Sequence, residues 1–263
     1  MTNFDDKIFE KIMKQNLILW MGAFIITFLA GFLQSVTDAE YPISGTIGID
    51  AEKVSYVFHK SAANDTSYLV LIRTEKEGIS GIVEWKLAGE EKWREIEMEK
   101  DDNNLLAFIP KQKALQKIDY KVTLEYEGKN YNLIGPTTLT FYGKVHPMIS
   151  FIFYFTLFGA LLLSTRTGLE GFKDNPKLGA YTVFTVIFFF LYTLAVNPLK
   201  ISYELGAINN NVPPINALFD LQSILLFTTW IAGMIVIFKI ENKKAAALTT
   251  ASITILIFLL VRF

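Results

Sequence analysis

The chain has 263 residues, 51% of them hydrophobic and 19% charged, with 22 Phe, a net charge of −1 and no cysteine. Soluble domains average about 25% charged residues, so the deficit points to lipid-facing segments, and a near-neutral chain without a basic stripe argues against a nucleic-acid footprint. The absence of cysteine excludes disulfides, thiolate metal sites, iron–sulfur clusters and cysteine nucleophiles.

In chain order, residues 1–14 place Phe4, Ile8 and Ile12 at helical spacing, with Asp5, Lys7, Lys11 and Lys14 mostly opposite. This suits a short helix on the inner membrane surface and equally an ordinary juxtamembrane segment. Residues 17–33 form the first of five apolar runs; the others are 147–163, 178–196, 221–238 and 245–261, and none contains Lys, Arg, Asp or Glu. Each has about the length that crosses ~30 Å of hydrocarbon as a helix. Five such runs in one small chain are predicted to be membrane spans rather than buried core helices. The first follows a lysine-rich start, as a signal peptide does, and Thr37-Asp38-Ala39 is a passable cleavage site. Its length, bulky Trp20 and several Phe favour an uncleaved anchor.

Between the first two runs lie eight β-rich stretches: 54–59, 68–73, 82–87, 93–98, 105–109, 120–126, 131–134 and 139–142. Turn signals such as Asn64-Asp65, Glu77-Gly78 and Glu127-Gly128 separate most of them. Short strands at this spacing predict an immunoglobulin- or fibronectin-like β-sandwich. Trp85 in GIVEWKL takes the place of a core tryptophan and Tyr120 in IDYKVTLEY that of a corner tyrosine. In the last strand Leu139 and Phe141 alternate with Thr138, Thr140 and Tyr142. That strand stops at Gly143, and Pro147 suits the first turn of the next helix, where its missing N–H costs nothing. So short a connection is expected to hold the sandwich close against the membrane.

With the N-terminus inside, the inner flanks carry Lys7, Lys11, Lys14, Arg166, Lys173, Lys177, Lys239, Lys243 and Lys244. The outer flanks carry Lys144, Lys200 and Arg262, with Arg262-Phe263 ending the chain at the outer surface. This bias sets the orientation. The expected fold is an α+β membrane protein: five transmembrane helices with an immunoglobulin-like β-sandwich inserted between helices 1 and 2. Residues 1–34 form a cytoplasmic N-terminal segment and helix 1, and 35–145 the extracytoplasmic domain. Residues 146–263 form a four-helix transmembrane domain, with helices near 147–165, 178–197, 219–239 and 244–262.

GIVEWKL, AFIP and DYKVTLEYEGK in the domain, with LLLSTRTGLEGF after the second run, resemble a family of bacterial polytopic inner-membrane proteins with an extracytoplasmic immunoglobulin/fibronectin-like domain. NALFDLQSILLF, opening the fourth run, is similar to a polar-capped segment of that family in diverged form. Members often carry a Trp-Pro-Phe-Gly-like run before its Asp, where this chain has Ile215-Asn216-Ala217-Leu218-Phe219. The resemblance covers roughly residues 45–240; it implies a bacterial inner-membrane setting and no particular activity.

Searches for chemistry find no phosphate-binding glycine loop, H-E-x-x-H, G-x-S-x-G or EF-hand loop. The two histidines, His59 and His146, fall in different elements, which excludes a haem held by two intramembrane histidines. The spans lack the ionisable residues that mark proton relays and ion-coupled sites, although a passive pathway lined by Thr, Ser and backbone stays open. No catalytic, cofactor-binding or metal-ligating residue is predicted, and no cofactor.

Three features carry candidate sites. Arg166 and Glu170, four apart after the second run, share a helix face and read as an exposed pair, worth ~0.3–0.5 kcal/mol, or as a cytoplasmic docking point. The long connection 197–220 brings Tyr203, Glu204 and Asp220 into reach of His146 for a polar site at the outer rim, with helix capping the plainer role of Asp220. Ala247, Thr250, Ala251 and Thr254 form a small-residue stripe for helix packing, within the chain or between subunits. The expected partners are the lipid bilayer and other membrane-protein subunits, with no nucleic acid and no ligand readable. The leading reading is a non-enzymatic accessory, scaffold or assembly subunit. Its alternative is a transporter or lipid-handling protein with a site at the outer rim.

Overall fold

The computed structural model describes residues 2–50, 52–207 and 213–261, and side chains from Glu10 onward except Lys11 within that range. The face expected from Phe4, Ile8, Asp5, Lys7 and Lys11 falls outside the described side chains, and Arg262 and Phe263 outside the described residues. The protein is α+β, with five apolar helices and two sheets. Among the described residues, five helical segments are long and apolar enough to cross a membrane: Ile12–Val36, Pro147–Glu170, Leu178–Glu204, Leu221–Lys239 and Lys243–Leu260. The chain forms two compact units. One comprises Met1–Asp38, His146–Ser202 and Pro213–Phe263; the other comprises Ala39–Val145 and Tyr203–Val212.

The second unit carries ten strands: β1 (Ile43–Ile49), β2 (Glu52–Phe58), β3 (Ser61–Ala63), β4 (Tyr68–Arg73), β5 (Ser80–Leu87), β6 (Arg94–Glu97), β7 (Glu99–Asp101), β8 (Asn104–Ile109), β9 (Lys117–Tyr126) and β10 (Lys129–Tyr142). They form two five-stranded sheets in the orders β1-β2-β4-β8-β7 and β3-β10-β9-β5-β6. Alternate residues of both sheets, among them Val54, Val70, Ile72, Leu105, Val83, Val122 and Phe141, enclose one apolar core. Trp85 lies in that core, directly opposite Tyr120 on β9. The Tyr120 hydroxyl donates to the His59 carbonyl at 3.0 Å, and its ring meets Phe58 and Tyr68 edge-on.

The strands lie at 43–142, so the expected domain limits of 35–145 need correction: residues 35 and 36 end a helix, and Tyr203–Val212 joins the unit. Two expected strands are one: β10 runs through Gly135-Pro136, with register shifts at Asn132/Ile134 and Ile134/Thr137. Pro136 cannot donate to a ladder, and an irregular register accommodates it.

In the first unit α1 (Thr2–Val36) is followed by α2 (Pro147–Glu170), whose first turn holds Pro147. Next, α3 (Leu178–Leu191) passes through a π-helical turn at Tyr192–Val196 into α4 (Asn197–Glu204), which belongs to this unit up to Ser202. Pro198 offers no N–H to the preceding turn, and the wider turn ahead of it absorbs that loss. The connection expected over 197–220 is therefore partly helical. After it come α5 (Leu221–Lys239) and α6 (Lys243–Leu260). The helices share a core of Phe153, Leu157, Leu161, Phe189, Leu226, Trp230 and Phe258. Gly168 lets α6 approach closely: a Cβ there would stand 2.7 Å from the Ala251 Cβ.

Candidate functional site: a buried ion-pair network

α2 packs against α1, α3 and α6, and most residues of its last turns are buried. Arg166 and Glu170 nevertheless sit in its last turns, and both side chains are 0% exposed. The expectation of an exposed pair or docking point is thereby corrected. Helical spacing puts the two residues on one face but does not say which way that face points, and here it points inward.

Six other groups complete the network. Arg166 Nη1 lies 2.5 Å from Glu170 Oε2. Glu170 Oε1 accepts from Lys173 Nζ at 3.1 Å and from the Lys177 backbone N–H at 2.9 Å. Asn16 Oδ1, on α1, accepts from Lys173 Nζ at 2.9 Å and from Arg166 Nη2 at 3.3 Å. The Arg166 guanidinium stacks over the rings of Trp20 and Tyr181, 5.4 and 4.7 Å from their centroids. These rings shield the cation and attract it through their negative faces. Lys244 Nζ donates to the Lys173 carbonyl at 2.7 Å, joining α6 to the same cluster.

Arg166 and Lys173 share the one carboxylate of Glu170, so this trio carries one surplus positive charge. Charges inside a protein need paired, hydrogen-bonded partners to survive desolvation. Glu170 and the neutral Asn16 supply most of them, but among the described residues Arg166 Nε has no hydrogen-bond partner. Hydroxyl contacts continue the polar seam between helices. Thr27 donates to Thr165 at 3.3 Å, Thr167 and Thr185 share a bond of 3.1 Å, and Trp230 Nε1 donates to Ser164 at 3.2 Å. The arrangement clamps α1, α2 and the turn after α2, and it fixes a positive potential there. Among the described residues no group of three or more His, Cys, Asp or Glu is placed to hold a metal ion.

The expected rim residues are distributed differently. His146 caps α2, its Nδ1 accepting from the Met148 N–H at 3.2 Å. Asp220 caps α5, with Oδ1 accepting from the Ser223 N–H at 2.7 Å and Oδ2 accepting from the buried Asn197 amide. Tyr203 and Glu204 belong to the two-sheet unit, where the Glu204 carbonyl accepts from the Gly143 N–H at 2.8 Å. Thus Asp220 meets Asn197 and Ser223, while His146 bonds within its own cap. Part of the connection, residues 208–212, lies outside the described residues.

Ala247, Thr250, Ala251 and Thr254 are all buried in the helical unit. Thr250 and Thr254 return their hydroxyl protons to the Ala246 and Thr250 carbonyls, each at 2.8 Å. A Cβ at Gly233 would collide with the Thr250 side chain, so α5 and α6 meet across this stripe.

Sequence reasoning missed Asn16, Trp20, Lys173, Tyr181 and Asn197. Lys173 stands one helical turn after Glu170, which was a usable signal; Asn16 directly precedes the first apolar run and looked like ordinary flanking polarity.

No family model and no curated protein matches the chain. Among solved structures, one described as "Crystal structure of Br derivative BhCBM56" is similar at 14% identity over 38% of this chain and 90% of its own, with a TM-score of 0.24. That score is too low to carry an argument about fold or function.

Proposed function

We propose that the protein is a non-enzymatic, multi-pass protein of the bacterial inner membrane, acting as an accessory, scaffold or assembly subunit of a membrane complex. In this reading the five apolar helices span the bilayer with the N-terminus cytoplasmic. The two-sheet unit is an extracytoplasmic immunoglobulin-like β-sandwich that makes protein contacts. The lysine bias of the loops supports the orientation, and it persists without the buried Arg166 and Lys173.

One observation carries the contact role. On the outer face of the first sheet, Val57, Leu69 and Phe108 are 52%, 41% and 56% exposed. Leu69 and Phe108 stand directly opposite one another, and half-buried Leu71 and Leu106 are paired beside them. Contiguous apolar surface of this kind marks interaction sites on soluble domains. Affinity purification of the full chain in mild detergent tests the reading. Discrete subunits should co-purify and should be lost from a Leu69→Ser/Phe108→Ser variant that melts like the parent. A chain that always isolates alone would refute the reading.

A further inference from the structure

We propose that the cavity between the start of α3 and the α5–α6 turn binds the phosphate headgroup of an anionic phospholipid. The inference rests on the membrane-spanning reading above and goes beyond it by naming a ligand. The cavity has a volume of about 430 Å³. Leu178, Ile237 and Phe238 form an apolar wall, while Glu241, Lys243 and Lys244 line the polar side. Gly179 keeps the space open, since the position of a Cβ there is already 3.4 Å from the Phe238 ring.

Three features of these residues favour an anion. First, the two lining lysines outnumber the one glutamate. Second, Lys243 and Lys244 occupy the first turn of the 18-residue α6, where the helix presents its positive end. Third, Lys244 is bonded to the Lys173 carbonyl, which joins the cavity wall to the buried network with its surplus positive charge. The wall distinguishes a lipid from a free phosphate. Phe238 is half exposed beside the lysines and belongs to an apolar helix, so an acyl chain can lie along it while the phosphate meets Lys243 and Lys244.

The test uses the full chain in mild detergent and native mass spectrometry, titrating phosphatidylglycerol against phosphatidylcholine of the same chain length. Phosphatidylglycerol should be retained preferentially. Lys243→Gln/Lys244→Gln should weaken it roughly 30-fold, at about 1 kcal/mol per lysine near an anionic headgroup. Gly179→Leu occupies the part of the cavity beside Phe238 without changing charge and should also weaken the preference. Glycerol phosphate should compete poorly; displacement at the same concentration as the lipid would overturn the lipid assignment. Equal retention of the two lipids, or preference unchanged in both variants, would overturn the site itself. Melting temperature confirms folding of each variant. Carbonate-resistant membrane association checks the spanning reading separately, so its failure is distinguishable from failure of the lipid site.

Discussion

Glu170→Gln is the substitution to which the helical unit should be most sensitive. Glutamine keeps the shape of the side chain but removes the carboxylate shared by Arg166 and Lys173. The two contacts are 2.5 and 3.1 Å long, and Arg166 has no exposure through which water can substitute. Coulomb's law with an effective dielectric of about 20 gives roughly 5–7 kcal/mol for each contact before desolvation is counted. Desolvation offsets much of this, and removing one partner of a buried pair costs about 3–5 kcal/mol in practice. For a unit of this size that corresponds to a melting shift of roughly 6–20 °C. The measurement is the fraction of purified full chain that remains monodisperse after heating, in one detergent throughout. The double variant Arg166→Met/Glu170→Met removes both charges and leaves Lys173 to Asn16, so it should be less damaging than Glu170→Gln alone. A Glu170→Gln protein melting within about 2 °C of the parent, or a double variant as damaged as the sum of its single changes, would refute the buried pairing.

Trp85→Ala should cost about 3–5 kcal/mol by emptying part of the two-sheet core. Faster amide hydrogen exchange across β5 and β9 of the full chain would register it, and unchanged exchange would place Trp85 outside the core. Gly168→Val should lower the melting temperature of the helical unit by separating α2 from α6, at about 1–3 kcal/mol of overpacking; a neutral result would contradict their close approach at Ala251. Burial pushes the hydroxyl pKa of both Tyr68 and Tyr120 upward. A folded-state pKa above the unfolded value of about 10 means full stabilisation below that pH and loss as pH rises beyond it. Near-UV circular dichroism melts should show that decline, and Tyr120→Phe should flatten it.

The sequence made the apolar helices readable because their signal is additive over many residues: each run lacks charge from end to end. Helical caps were also legible, since Pro147 and Asp220 act through residues next to them in the chain. Strands were harder. β1 went unseen because Gly45 and Gly48 break up its alternation, and β3 and β7 are three residues each. The network was half legible. Spacing brings Arg166 to Glu170, but its burial depends on α1, α3 and α6, and Asn16 is 150 residues away from Arg166. No local pattern encodes such a contact. Even the stripe on α6 was ambiguous until Gly233 showed which helix it meets.

The two sheets of one unit differ in what their outward faces ask of the surroundings. In β9, KIDYKVTLEY, the core residues Ile118, Tyr120, Val122 and Leu124 alternate with Lys117, Asp119, Lys121, Thr123 and Glu125. Those outward residues are satisfied locally: Lys121 pairs with Glu84 at 2.8 Å, and Asp119 accepts from Thr138 at 2.8 Å. Such a face needs no partner beyond water. In β4 and β8, YLVLIR and NLLAFI carry apolar residues at both parities. Strands covered on both sides read that way, whereas strands with one wet face alternate. The inward set, Tyr68, Val70, Ile72, Leu105, Ala107 and Ile109, already fills the core. The outward set has no such duty, and folding alone would tolerate polar residues there. Leu69, Leu71, Leu106 and Phe108 are thus free of any duty in the core, and this asymmetry between the sheets is the physical ground for the contact role proposed for the first one.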